Sequence, residues 1–164
     1  MKIKLFDDAF DPIMENGRQK EMALDPSWVK ERKGLPLEAI RFAEYLGRYL
    51  VGPKLVDDRK SPGKQMLIFS GGMSTSQVRN FFGAVRILNL GDFAGNYGAF
   101  AMLRPRLAFA RVRATKDNLD NRIKDFEQAV LLLMDNVENG EDFQNFVDFL
   151  EATVAYHKAN GGKN

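Results

Sequence analysis

The stretch Ser74-Thr75-Ser76-Gln77-Val78-Arg79-Asn80-Phe81-Phe82 decides how the rest of the chain is read. The Ser74 hydroxyl can accept the backbone amide of Gln77 while the Gln77 side chain reaches back to the amide of Ser74, the reciprocal cap that opens a helix. Behind that start, Val78, Phe81, Phe82, Val85 and Leu88 recur at the three- and four-residue steps of a buried stripe. One well-marked helix sets a template, and the flanking sequence is tested against it in both directions.

Toward the N-terminus, residues 53–73 carry Lys54, Arg59, Lys60 and Lys64 among prolines and glycines. Their one apolar run, Met66 to Phe69, is too short to classify, so a long basic connection is expected. Before it, Ala39, Phe42, Ala43, Leu46, Tyr49 and Leu50 predict a helix that begins after Pro36 and ends at Gly52-Pro53. Residues 1–36 hold Asp11-Pro12, Gly17, Asp25-Pro26, Gly34 and Pro36. They predict an irregular or mobile lead-in, with a short helical stretch near Ser27 to Arg32 and Trp28 as the residue to pin it down.

Toward the C-terminus, a helix is expected from about Asn96 to Arg113, read as central in the bundle, with Pro105 kinking it or dividing it. The next should start near an Asp117 cap, run through Leu119, Ile123, Phe126, Val130, Leu133 and Val137, and stop at Asn139-Gly140. The last turns Phe143, Phe146, Val147, Leu150 and Val154 inward, places Glu141 and Asp142 at its positive end, and finishes at Gly161-Gly162. No β-rich alternation stands out. The expected architecture is all-α: a single compact bundle of about five helices over residues 37–164, preceded by the irregular segment 1–36.

The 164 residues are 45% apolar and 28% charged with no cysteine, a composition that suits one globular domain and excludes disulfide scaffolds, thiol catalysis and thiolate metal sites. The N-terminus, Met1-Lys2-Ile3-Lys4-Leu5-Phe6-Asp7-Asp8, has no apolar signal region, and no run approaches a membrane span, so a cytoplasmic protein without a membrane partner is expected. Net charge is +2, but it is unevenly placed: residues 31–116 hold 15 basic and 6 acidic groups, residues 117–164 hold 4 and 10. A basic middle and an acidic end suggest either a polyanion-binding face or two surfaces that neutralise each other within or between copies.

The arginines sort into ridges. Arg79 and Arg86 lie seven apart at the edge of the stripe that starts at Val78, Arg104 and Arg111 form one ridge of the following helix, and Arg106 and Arg113 form another about half a turn away. Arg104 and Arg111 share their side with Phe100 and Leu107, which predicts partial burial against acids of the last two helices. Arg106 and Arg113, with Arg79, Arg86, Lys60 and Lys64, are the candidates for a phosphate-binding groove; a solvated basic face is the plainer reading. Phe149 and Tyr156, seven apart on the last helix, belong either to a wide core face or to a subunit-docking patch, with base stacking a third option.

Catalytic constellations are missing from the sequence. His157 is the only histidine, and no metal-ligand spacing surrounds it, so it reads as a surface or satisfied helix-end residue. Ser74, Thr75 and Ser76 are explained by the helix cap, Gly71-Gly72 by a turn, and Asp57-Asp58 and Glu141-Asp142 by solvation or dipole compensation. No enzyme activity, cofactor or metal is expected.

Three motifs in order, Met73 to Phe82, Leu103-Arg104-Pro105-Arg106-Leu107-Ala108-Phe109-Ala110, and Phe149 to Lys158 followed by Gly161-Gly162-Lys163, resemble the small subunit of the type III-A CRISPR effector, the Csm complex. The resemblance runs from about residue 73 to the end. It implies a small helical protein without catalysis, present in several stacked copies, that bridges the backbone and large subunits and lines the path of guide RNA and single-stranded target RNA. Arg79, Arg104 and Arg106, with Arg113 nearby, fall where that family looks basic. The stretch Phe109-Ala110-Arg111-Val112-Arg113 departs from it, since relatives look smaller and more glycine-like there. Stacking of a basic middle on an acidic end places Asp142, Asp148 or Glu151 of one copy opposite arginines of the next. A free-standing dimerising adaptor that binds only proteins is the alternative.

Overall fold

The computed structural model describes residues 1–88, 92–115 and 122–161. The Asp117 cap, Leu119, Gly162 and Lys163 lie outside these residues. Helices α1 (Leu37–Leu50), α2 (Thr75–Arg86), α3 (Tyr97–Ala101), α4 (Leu103–Thr115), α5 (Ile123–Met134) and α6 (Gly140–Ala159) dominate. The chain is mainly helical but not purely so, because three two-stranded antiparallel pairs accompany the helices. No helix among the described residues is long and apolar enough to cross a membrane.

Two of those pairs correct the reading of residues 1–36 as irregular. Strand β1 (Lys2–Lys4) pairs with β4 (Glu21–Ala23) through Ile3 opposite Met22, and between them β2 (Met14–Glu15) pairs with β3 (Arg18–Gln19) around a turn at Asn16-Gly17. Strands of two or three residues are too short to show alternation in sequence. A 3₁₀ helix, Pro26–Lys30, follows, capped by Asp25. Trp28 is buried on Phe42 with ring centroids 5.7 Å apart, as expected for the pinning residue. The buried Asn145 amide of α6 donates to the carbonyls of Val29 and Glu31, both at 2.8 Å. Ile3, Leu5, Leu24 and Val29 thus join the same core as the helices.

The third pair replaces the basic connection. Strand β5 (Pro53–Asp57) and β6 (Gln65–Phe69) form a hairpin with Leu55 opposite Leu67, and Lys60 and Lys64 sit in its turn. The hairpin is only half-buried, and its second strand is the Met66 to Phe69 run that is too short to classify from sequence.

Helices α1 and α6 form the centre. Ala39, Phe42, Ala43, Leu46, Tyr49 and Leu50 of α1 are buried, as their spacing predicts, and Phe42 stacks on Phe149 at 6.2 Å. Gly47 permits the approach of α6: a Cβ there would lie 2.7 Å from the His157 backbone nitrogen and from the Tyr156 Cβ. His157 is buried, and its Nε2 donates to the Met73 carbonyl at 2.9 Å. Burial holds its pKa below the ordinary 6.5, outweighing the opposing effect of that hydrogen bond. The helix-end histidine is therefore a satisfied core residue that ties α6 to the entry of α2.

One boundary differs from expectation. Helix α5 ends at Met134, and Asn139-Gly140 begins α6 instead of stopping α5: the Asn139 side chain accepts the Asp142 amide at 2.9 Å. Asparagine and glycine serve both helix exits and entries, so the dipeptide is ambiguous in sequence. The segment around Pro105 divides, one of the two outcomes the proline predicts, and the break at Met102 leaves Pro105 in the first turn of α4 where its missing N–H costs nothing. Helix α4 is also not central. Leu103 and Leu107 are buried, but Phe109 and Val112 are exposed, because arginines interrupt any continuous apolar stripe.

Candidate nucleic-acid interface

The site begins at a crossing of loops beside α2. Ser70 donates to the Gly52 carbonyl and Met73 to the Leu50 carbonyl, both at 2.8 Å, which draws the β6–α2 turn onto the end of α1. Gly52 has φ +99°, and a Cβ there would lie 2.7 Å from the Gly72 nitrogen, so the approach requires glycine. The Arg122 amide donates to the Gly71 carbonyl at 2.8 Å, its guanidinium donates to the Pro53 carbonyl at 2.7 Å, and that group lies 3.9 Å over the Tyr49 ring. Tyr49 in turn donates to Asp125 at 2.6 Å. Burial first, then that carboxylate, push its pKa up to about 12, so the phenol stays protonated as a structural donor. This junction fixes where α2 starts, and the capping box is complete: Gln77 N to Ser74 Oγ at 3.1 Å and Ser74 N to Gln77 Oε1 at 2.8 Å.

Between that turn, α2 and α4 lies a cleft of about 850 Å³, within the range of sites that enclose a small molecule or one residue of a polymer. Its floor is apolar, with Phe81, Leu107 and Phe126, and its rim carries Ser76, Asn80, Arg106 and Arg113. The first two recognition motifs of the sequence therefore face each other across one opening. Arg106 and Arg113 are exposed, and neither pairs with an acid among the described residues.

The other candidate cations are dispersed. Arg104 pairs with Asp135 at 2.6 Å and Arg111 with Glu127, so this ridge is held by acids at the end of and within α5, as its shared side with Leu107 predicts. Arg104 is thereby engaged by a carboxylate instead of standing open for phosphate. Arg79 is exposed on α2 outside the cleft lining. Arg86 lies 5.8 Å over the Phe82 ring and lines a second, smaller recess of about 270 Å³ against α6, together with Glu151. Lys60 and Lys64 are exposed in the hairpin turn, also outside the cleft. The single groove drawn from sequence divides into one cleft with two arginines and several separate basic positions.

Of the acidic and aromatic docking candidates, Phe149 is buried on Phe42 and belongs to the core face, so it offers no surface to a partner. Asp142 is also buried, and its carboxylate accepts the Glu138 amide at 3.0 Å; it is a cap, not a subunit contact. Tyr156 is half-buried beside Gly47. Asp148, half-buried, accepts the Gln144 amide at 2.7 Å, and Glu151 is exposed.

Sequence reasoning did not single out Phe69 and Phe109. Both line the cleft and both are exposed, Phe109 at 70% and Phe69 at 47%. The signal was present at Phe109, where an aromatic stands in a stretch noted for its departure from smaller residues.

A family model described as Csm2 Type III-A matches residues 52–163, about two-thirds of the chain. The match opens at Gly52 and so takes in the β5–β6 hairpin as well as the three motifs. No curated protein and no solved structure matches.

Proposed function

The chain belongs to the Csm2 Type III-A family, the small subunits of the type III-A CRISPR Csm complex, and from that premise we propose that it works without catalysis of its own, as a clamp. It grips the backbone of guide RNA and single-stranded target RNA and stacks against further copies of itself, between the backbone and large subunits, in the cytoplasm. The observation that carries this reading is the placement of Arg106 and Arg113 on one cleft wall, exposed and free of acidic partners among the described residues. Guanidinium groups match phosphate oxygens whatever the base, and a guide-directed assembly delegates sequence choice to pairing. Lys60, Lys64, Arg79 and Arg86 lie outside the cleft lining and add long-range attraction to the strand. Asp148 and Glu151 on α6 are the remaining acids for contact with a neighbouring copy.

Binding of the purified chain to labelled single-stranded RNA over a range of salt concentrations tests the clamp. Each phosphate contact contributes about 0.7 to the slope of log affinity against log salt. Changing Arg106 and Arg113 together to Ala should lower that slope by roughly 1.4 and weaken binding to all sequences alike. An unchanged slope would place the contact elsewhere. No binding at any salt, with association to other subunits intact, would favour the adaptor reading, to which the exposed Val112 of α4 and Met102 just before that helix lend support. Changing Asp148 and Glu151 to Lys should leave helicity unchanged and weaken self-association; undiminished assembly would remove the stacking role of that face.

A further inference from the structure

Helix α4 repeats a pattern within its cleft wall: Arg106, then Phe109 and Ala110, then Arg113, at the i, i+3, i+4 and i+7 positions of one face. A cation, an aromatic ring beside a small residue, and a second cation follow in line. A phosphate-only grip has no use for the ring, and burial does not explain it, since Phe109 is 70% exposed. A second ring lines the same cleft. Phe69 is held by an edge-on contact with Phe10 at 5.1 Å, and Phe10 itself adopts the left-handed backbone conformation, φ +62°, that bulky residues rarely take. The Asp7 carboxylate, accepting the Ala9 amide at 2.9 Å and the Asp11 amide at 2.8 Å, fixes that turn. On the α2 side, Ser76 and Asn80 present exposed polar groups to the same space.

We infer that this cleft takes an unstacked nucleobase of the RNA strand, seated against Phe109 with Phe69 as a second ring in the same cleft, while Arg106 and Arg113 hold phosphates on either side of it. This rests on the RNA-clamp reading above and deepens it from the backbone to the base. The occupant follows from charge and shape together: cations without an acidic partner among the described residues, flanking an exposed ring in a cleft of about 850 Å³, are the combination that single-stranded nucleic acid requires. Recognition is sequence-tolerant, because every base has a face to stack; Ser76 and Asn80 supply edge hydrogen bonds without fixing one base.

The test compares an oligouridylate with a ribose-phosphate strand of the same length that carries no bases, so that phosphate charge is constant. The unmodified chain should bind the base-free strand about 5- to 150-fold more weakly, the range expected for one aromatic stack. Phe109→Ala should remove that difference, Phe109→Trp should restore it, and a 2-aminopurine placed in the strand should lose fluorescence on binding only when the ring is present. Arg106→Ala with Arg113→Ala should weaken both strands equally. If both strands bind the unmodified chain equally and only the arginine changes matter, the phosphate clamp stands and the base pocket falls. If neither strand binds while Phe109→Ala releases the chain from its complex, the cleft holds a partner subunit and both RNA readings fall.

Discussion

The α1–α6 pair and α4 use their aromatic residues in opposite ways. Phe42 and Phe149 are buried between α1 and α6, where Gly47 and His157 bring the backbones together. Phe109 of α4 projects from its helix between arginines, and Val112 is exposed on the same element. The first region obeys helical periodicity and yields a packed centre. The second breaks it, retaining costly exposed apolar groups beside cations that lack acidic partners among the described residues. A local rule broken without any gain in packing points to a use outside folding, and the difference separates what holds this molecule together from what it presents to others.

The contrast breaks most visibly at Phe42. Phe42→Ala removes a fully buried ring that contacts Trp28 and Phe149 and should cost about 3–5 kcal/mol in urea unfolding. A loss below about 1 kcal/mol would mean that the centre collapses around the hole and is not tightly specified. Gly47→Ala should follow, at about 1–3 kcal/mol, because the added methyl meets the backbone of α6 and not a flexible side-chain end. An unchanged unfolding midpoint would show that the helices can move apart freely.

The pH response sharpens the same comparison. His157 has a folded-state pKa depressed below 6.5 by burial, so above 6.5 it is neutral in both states and costs nothing. As pH falls below 6.5 the unfolded chain takes up the proton more readily, and stability is lost. His157→Gln keeps a donor for the Met73 carbonyl and should remove this component, seen as a smaller drop in the urea midpoint between neutral and mildly acidic pH than in the unmodified chain. Equal drops would assign the acid sensitivity to other groups. The smallest effect belongs to α4: Phe109→Ala should change stability by no more than about 0.5 kcal/mol, since the ring is exposed. A cost comparable to that of Phe42→Ala would make Phe109 a packing residue and dissolve the distinction.

The readable parts of the sequence were those in which one signal had one meaning. The Ser74–Gln77 box marks the start of α2, and the stripes of α1 and α6 name residues that are buried, with only Val154 of α6 half-exposed. The pairing of Arg104 and Arg111 with acids was legible from the side they share with Leu107. Other signals carry two meanings. Asn139-Gly140 suits a helix exit as well as the α6 entry it forms, and Asp142 serves a cap from a position equally suited to a surface acid. The short strands of residues 1–36 depend on pairing with distant chain, information that no local window holds. The cleft was half legible: Arg106 and Arg113 were singled out together, but their separation from Arg86 and the hairpin lysines depends on how α2 faces α4 and α6.

The most direct measurement is photocrosslinking of the chain to single-stranded RNA containing 4-thiouridine, with the attached residues mapped by mass spectrometry. The account predicts adducts on α4 between Arg106 and Arg113 and on the facing segment from Phe69 to Asn80, lost when Arg106 and Arg113 are both changed to Ala. Adducts concentrated on α6 around Asp148 and Glu151, or unaffected by those changes, would contradict it.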